Sequence, residues 1–191
     1  GGSLLGDGVL NLAGRGLIGP GSLELNGRRL AITGATEWLG GSLRGSNGAV
    51  LHVHPSGVLS VTNNATFDSL SSQGARTMLH VEGRMAVSVP VAANSAFDVR
   101  GDLRLDGAAT LASGATVVHA NGVQRGALTV QPGAVLEVRS RYTTEVGSTI
   151  TGLGTVRQNG GATLLAGDYA FAGLTEVRNG TVTPANGSVF A

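Results

Sequence analysis

The sequence predicts an all-β fold, a right-handed parallel β-helix (β-solenoid) of roughly ten coils. Three observations carry this. Strand signals recur along the chain, while no sustained i, i+3, i+4, i+7 pattern with caps marks a helix. The strands are short and punctuated by glycine, which supplies 32 of 191 residues. A corner-like motif returns at long and nearly even spacing.

The alternating segments, in chain order, are Leu23-Glu24-Leu25, Leu51-His52-Val53, Leu79-His80-Val81, Phe97-Asp98-Val99, Leu103-Arg104-Leu105, Leu128-Thr129-Val130 and Leu136-Glu137-Val138. Each is apolar on one side and polar on the other, as a half-buried strand requires. Asn-Gly turns separate many of them, at Asn26, Asn47, Asn121, Asn159, Asn179 and Asn186. Both residue types tolerate positive φ, so the chain bends sharply there.

The segment LHVHPSGVLSV (51–61) aligns with LTVQPGAVLEV (128–138), and VPVAANSAFDV (89–99) sits halfway between them. The closing valines Val61, Val99 and Val138 are almost evenly spaced. In each copy an alternating arm, a small or polar turn and a second alternating arm follow one another. Both arms then face one interior around a corner. Coils of about 18–25 residues, two per long repeat, fit this spacing; a sandwich would show longer paired strands. Such coils bury their apolar faces only by stacking. At ~4.8 Å per coil, roughly ten make a rod about 45–50 Å long. Leu79-Val81-Gly83 and Leu103-Leu105-Gly107 repeat at a wider step than half the valine interval, so coil lengths vary. The right hand follows from the crossover preference of parallel strands.

Composition narrows the function. Thirteen Arg, no Lys and twelve acids leave a net charge of +1, and the Arg are scattered, so no nucleic-acid partner is expected. Cys is absent, which excludes disulfides and Cys-ligated zinc. No apolar run is long enough to cross a bilayer as a helix, so no membrane span is expected in this segment. Residues 1–191 read as one solenoid domain. The start at Gly1-Gly2-Ser3, without Met, predicts a segment of a longer secreted protein.

Four groups of residues are candidates for chemistry. Arg100-Gly101-Asp102 is an RGD tripeptide between strands Phe97–Val99 and Leu103–Leu105, where a corner or short loop is expected. Integrins read such a tripeptide with an acidic slot for Arg and a bound cation for Asp, which requires a protruding loop. Trp38, the sole Trp, forms with Tyr142, Tyr169 and Phe171 a candidate platform for stacking on a glycan. His52 and His54 alternate on one strand and are expected to face outward, and paired His of this kind chelate metals. His80 and Glu82 make a similar pair, and coils that set the pairs side by side would bring four ligands together. The interval from His52 to His80 does not fit one regular coil, so a solvated face is expected and neither metal nor cofactor is assigned. Glu82 and Asp106 hold equivalent places before Gly83 and Gly107, and Asp98, Asp102 and Asp106 are the acids a polysaccharide-cleaving β-helix would use. No G-x-S-x-G elbow occurs, and a P-loop is impossible without Lys.

Residues 152–182 resemble the autotransporter-associated β-strand repeat. The matching parts are Gly152-Leu153-Gly154-Thr155-Val156, Thr163-Leu164-Leu165-Ala166-Gly167, Tyr169 and Phe171 before Gly173, Thr175-Glu176-Val177 and Gly180-Thr181-Val182. The resemblance implies a bacterial passenger domain, secreted through the outer membrane and shaped as a right-handed parallel β-helix. The expected function is that of a non-enzymatic surface adhesin or stalk. Its expected partners are a host integrin or matrix protein, met by Arg100, Gly101 and Asp102, or a surface glycan, met by Trp38. Two alternatives stand beside it: a polysaccharide-active lyase or hydrolase, and a filament protein that self-associates through open coil ends.

Overall fold

The computed structural model describes residues 2–6, 8–70, 75–92 and 95–185. The Asn186-Gly187 turn and the terminal Val189-Phe190-Ala191 lie outside the described residues. The chain is all-β and winds as a right-handed parallel β-helix of about nine turns. At ~4.8 Å per turn the stack is about 43 Å long.

The strands line three faces, and a complete turn crosses each face once. The first turn is β1 (Gly2–Leu4), β2 (Val9–Leu12) and β3 (Gly16–Ile18). The next are β4 (Gly21–Asn26), β5 (Arg29–Ile32) and β6 (Ala35–Trp38), then β7 (Gly41–Ser46), β8 (Val50–Val53) and β9 (Val58–Val61). They continue with β10 (Ala65–Ser69), β11 (Met78–Val81) and β12 (Arg84–Ser88), then β13 (Ala96–Val99) and β14 (Asp102–Leu105). β15 (Ala108–Val118) rounds a corner and serves two faces. Then come β16 (Gly122–Gln124), β17 (Ala127–Val130), β18 (Ala134–Val138), β19 (Tyr142–Thr144) and β20 (Thr149–Gly152). The stack closes with β21 (Thr155–Leu165), β22 (Asp168–Phe171) and β23 (Leu174–Pro184).

The alternation seen in the sequence becomes vertical columns. On the second face Leu30, Leu51, Leu79 and Leu103 stand in register, beside Ile32, Val53, Val81 and Leu105. On the third, Val61, Val87, Leu111 and Val130 do the same. All are buried, and each such side chain stabilises by ~1.5–3 kcal/mol relative to exposure. The leucine column changes at Gly122, whose register partner is Tyr142. A Cβ on Gly122 would lie 2.3 Å from Cδ2 of the Tyr142 ring, so the missing side chain makes room for that ring. The Tyr142 hydroxyl donates to Gln124 Oε1 (3.0 Å), and Gln124 Nε2 donates to the carbonyls of Gly126 and Thr149. A buried amide is thereby satisfied between Leu105 and Thr144 of its column.

The corner between the second and third faces is built on stacked glycines. A Cβ on Gly34, Gly57, Gly83, Gly107 or Gly126 would fall 1.7–2.2 Å from a carbonyl oxygen of the preceding turn. Only glycine lets the backbones stack that closely. At the end of β7, Asn47 takes positive φ (51°) ahead of Gly48 (74°), as expected of Asn-Gly.

Two expectations change. The aligned segments 51–61 and 128–138 occupy different corners: the first joins the second face to the third, the second joins the third face to the first. Only 89–99 and 128–138 are superposed, with Val99, Val118 and Val138 in one column. The same local chemistry, alternating arms about a small turn, suits either corner. The long step from Leu51 to Leu79 is also a single turn, in which the extra residues lie between β10 and β11 while the strands stay in register.

Candidate functional site

That long turn sets His52 of β8 directly beneath His80 of β11. Their rings stack at 4.8 Å between centroids, inclined by 24°, which is the strand spacing expressed in side chains. Leu51 and Val53 anchor the first ring's strand in the core, and Leu79 and Val81 anchor the second. His52 points away from the core, as alternation requires, yet it is buried. His54 is exposed and meets His52 only edge-on, at 5.8 Å.

Around the stacked rings runs a ladder of alternating charge that crosses successive turns. Arg29 donates to His52 Nδ1, and His52 Nε2 lies 2.8 Å from Glu82 Oε2. His80 Nε2 is 3.6 Å from Glu82 Oε1 and 2.8 Å from Asp106 Oδ2. Arg104 donates to Asp106 (2.7 Å), and Arg125 reaches both Asp106 (3.6 Å) and Glu145 (2.7 Å). Arg29 has no acceptor atom, so its contact fixes the tautomer of His52: Nδ1 is bare and Nε2–H donates to Glu82.

Burial holds the His52 ring below the ordinary histidine value; the Glu82 hydrogen bond opposes this and the Arg29 charge reinforces it. The hydrogen bond from His52 draws the Glu82 carboxyl below its usual range. Burial pushes Asp106 upward, but the hydrogen bonds from His80 and Arg104 together outweigh it and leave that carboxyl low. Glu82 and Asp106 therefore both stay ionised one turn apart, because His80 stands between them. The direct repulsion expected of stacked carboxylates is replaced by a shared donor.

A second ladder climbs the first face. Asp98, Val117, Glu137, Arg157 and Glu176 share one column. Arg157 bridges Glu137 (3.1 Å) and Glu176 (2.6 Å). Asp98 turns aside to His119, at 2.7 Å.

The remaining candidates are not presented as binding or cleavage would require. Trp38 is 0% exposed. Its Nε1 donates to the Gly40 carbonyl and its ring meets Phe97 edge-on at 5.6 Å. Tyr142, Tyr169 and Phe171 are buried as well, so the glycan platform is corrected to core packing. Arg100-Gly101-Asp102 forms a tight corner between β13 and β14, not a protruding loop. The Arg100 and Asp102 amides donate to the Phe67 and Thr77 carbonyls of the preceding turn. Gly101 is buried, and a Cβ there would lie 2.7 Å from the Phe67 ring. Arg100 is exposed, while Asp102 Oδ1 accepts from Arg76 (3.4 Å) and the Asn121 amide (3.3 Å). Asp98, Asp102 and Asp106 each have separate partners and are not gathered around a common point.

Arg29, Arg125 and Glu145 escaped the sequence reading, because neither their register nor the turn lengths that set it can be counted without the structure. Arg104 and Asp106, two apart in the chain, make the one contact of this ladder that spacing alone implies. Compared with known proteins, the chain matches no family model, no curated protein and no solved structure.

Proposed function

We propose that this chain is a rigid segment of a secreted bacterial surface protein, a passenger-like stalk that is not an enzyme. One observation carries the reading: the outward polar groups are paired turn to turn into ladders, Arg29 through Glu145 on one face and Glu137 through Glu176 on another. Charged side chains fixed to the turns above and below stiffen a rod. The flush RGD corner and the buried Trp38 favour a stalk over an adhesin whose contacts run through those residues.

The test is a binding screen of the purified chain against matrix proteins, integrin-bearing cells and a glycan panel, with Asp102→Glu alongside. A stalk binds none of them. Binding that is lost in the variant would replace the stalk with an RGD adhesin, and release of reducing sugar from acidic polysaccharides would replace it with an enzyme.

A second reading, end-to-end assembly, is favoured by the unpaired strand edges of the first and last turns, and by Val177, an exposed member of the inward column that runs through Val99, Val118 and Val138. These edges fit a further turn of the same kind, from this chain or from a second copy. Growth of filaments with concentration would support it; a strict monomer would count against it.

A further inference from the structure

We propose that His52, His80 and Glu82 form a binding site for a late divalent transition-metal ion, with zinc as the fitting probe. One donor atom from each residue lies within 4.8 Å of the others. The two Nε2 atoms already converge on a single carboxylate, at 2.8 and 3.6 Å. Tetrahedral zinc, with bonds of about 2.0–2.1 Å, holds its donors about 3.3 Å apart. The widest pair must therefore close by roughly 1.5 Å. Because the imidazoles stack at 4.8 Å, that closure comes from rotation of the two rings about their side-chain bonds, and Glu82, the most exposed of the three, follows them and marks the route of entry.

The donor set selects the class of ion. Imidazole nitrogens favour zinc, copper and nickel, whereas calcium and magnesium require oxygen ligands throughout. The two imidazoles stand on strands held in register by the leucine and valine columns, so the spacing of the site is set before any ion arrives.

An independent feature points the same way. Asp106 Oδ1 is sealed from solvent and accepts no hydrogen bond from the described residues, and Arg125 Nη1 is 3.6 Å away. The other oxygen of that carboxylate lies 2.8 Å from His80 Nε2. A cation held by His80 Nε2 would take the place of the proton shared with Asp106, and this carboxylate, still held by Arg104, can then complete the coordination.

Arg29 acts as the competitor. Its contact with His52 Nδ1 keeps the ring proton on Nε2, the ligand atom. Ligation moves that proton to Nδ1, and Arg29 must then swing into solvent, where it is already exposed; the Nε2 proton that His80 donates to Asp106 moves to its own Nδ1 in the same way. The site so described does not depend on the stalk reading, and either can fail alone.

The experiment titrates zinc chloride into the whole chain by calorimetry, with imidazole ¹H–¹⁵N spectra recorded on the same samples. We expect one equivalent to bind, with shifts at His52 and His80 and none at His54 or His119. Glu82→Gln and His80→Gln should each weaken binding at least about tenfold, and Arg29→Ala should strengthen it. Circular dichroism confirms that each variant is folded. Glu82→Gln, which leaves the core untouched, carries the test if His80→Gln unfolds. An absence of heat and shifts in the parent chain would overturn the site. So would binding that survives Glu82→Gln, or shifts centred on His54.

Discussion

Replacing Gly122 by Ala places a methyl group where the Tyr142 ring lies. The new Cβ would stand 2.3 Å from Cδ2 and 2.6 Å from Cε2, against ~3.5–4.0 Å for an optimal carbon contact. The ring cannot yield cheaply, because it is buried and its hydroxyl is tied to Gln124. Overpacking of this kind costs ~1–3 kcal/mol. Tyr142→Leu restores the residue found at Leu51, Leu79 and Leu103 and removes the clash, but it strands Gln124 Oε1 at a cost of ~1–3 kcal/mol. The double variant should therefore be more stable than the sum of the two single changes by at least ~1 kcal/mol. Urea denaturation gives the midpoints. Hydrogen exchange shows whether the loss stays in the turns around residues 103–144, as expected where each repeat contacts only its neighbours. A Gly122→Ala midpoint equal to that of the parent, or effects additive within ~0.3–0.5 kcal/mol, would refute the account.

Trp38→Ala should destabilise by ~3–5 kcal/mol through the cavity it leaves beside Phe97, measured by the same urea midpoints. Gly101→Ala should also destabilise, by ~1–3 kcal/mol, because its Cβ meets the Phe67 ring and the Thr77 carbonyl; an unchanged midpoint would mean that the RGD corner is looser than described. Acid should weaken the fold in two stages. His52 is held below 6.5, so as pH falls through that value the unfolded chain takes up a proton the folded chain resists, and stability drops. Below 4.5 the depressed Glu82 and Glu137 add their loss, and below 3.8 Asp106 does. In thermal melts across pH, His52→Gln should remove the upper stage and keep the part of the lower one that Glu137 and Asp106 carry.

The class of fold was legible because alternation and glycine are local. A strand such as Leu79-His80-Val81 declares its inward face in three positions, and Gly83 and Gly107 declare a corner. The rod's register was not local. His52 and His80 lie far apart in the chain, and reading them as neighbours requires knowing that one turn carries an extra loop. The motif shared by 51–61 and 128–138 misled for a related reason: two corners of a triangular coil demand the same chemistry, so sequence likeness did not mark equivalent positions. Trp38 was misplaced because an aromatic residue beside glycines fits a surface platform as well as a core. Only the packing of Phe97 against it decides.

The parallel pairing has a mechanical consequence. The hydrogen bonds between turns run along the rod, so a pull on its two ends loads them in tension, a few at a time, rather than in shear. Such a rod yields by peeling from an end, one turn per event. The step from Leu103 to Gly122 is a short turn and that from Leu51 to Leu79 a long one, so each event frees a length set by its own turn. At ~3.3–3.6 Å per extended residue, the short turn releases about 65 Å and the long one about 95 Å. The varied turn lengths would thus be written into a force–extension record as a sequence of unequal steps, and a rod built this way lengthens under load before it parts.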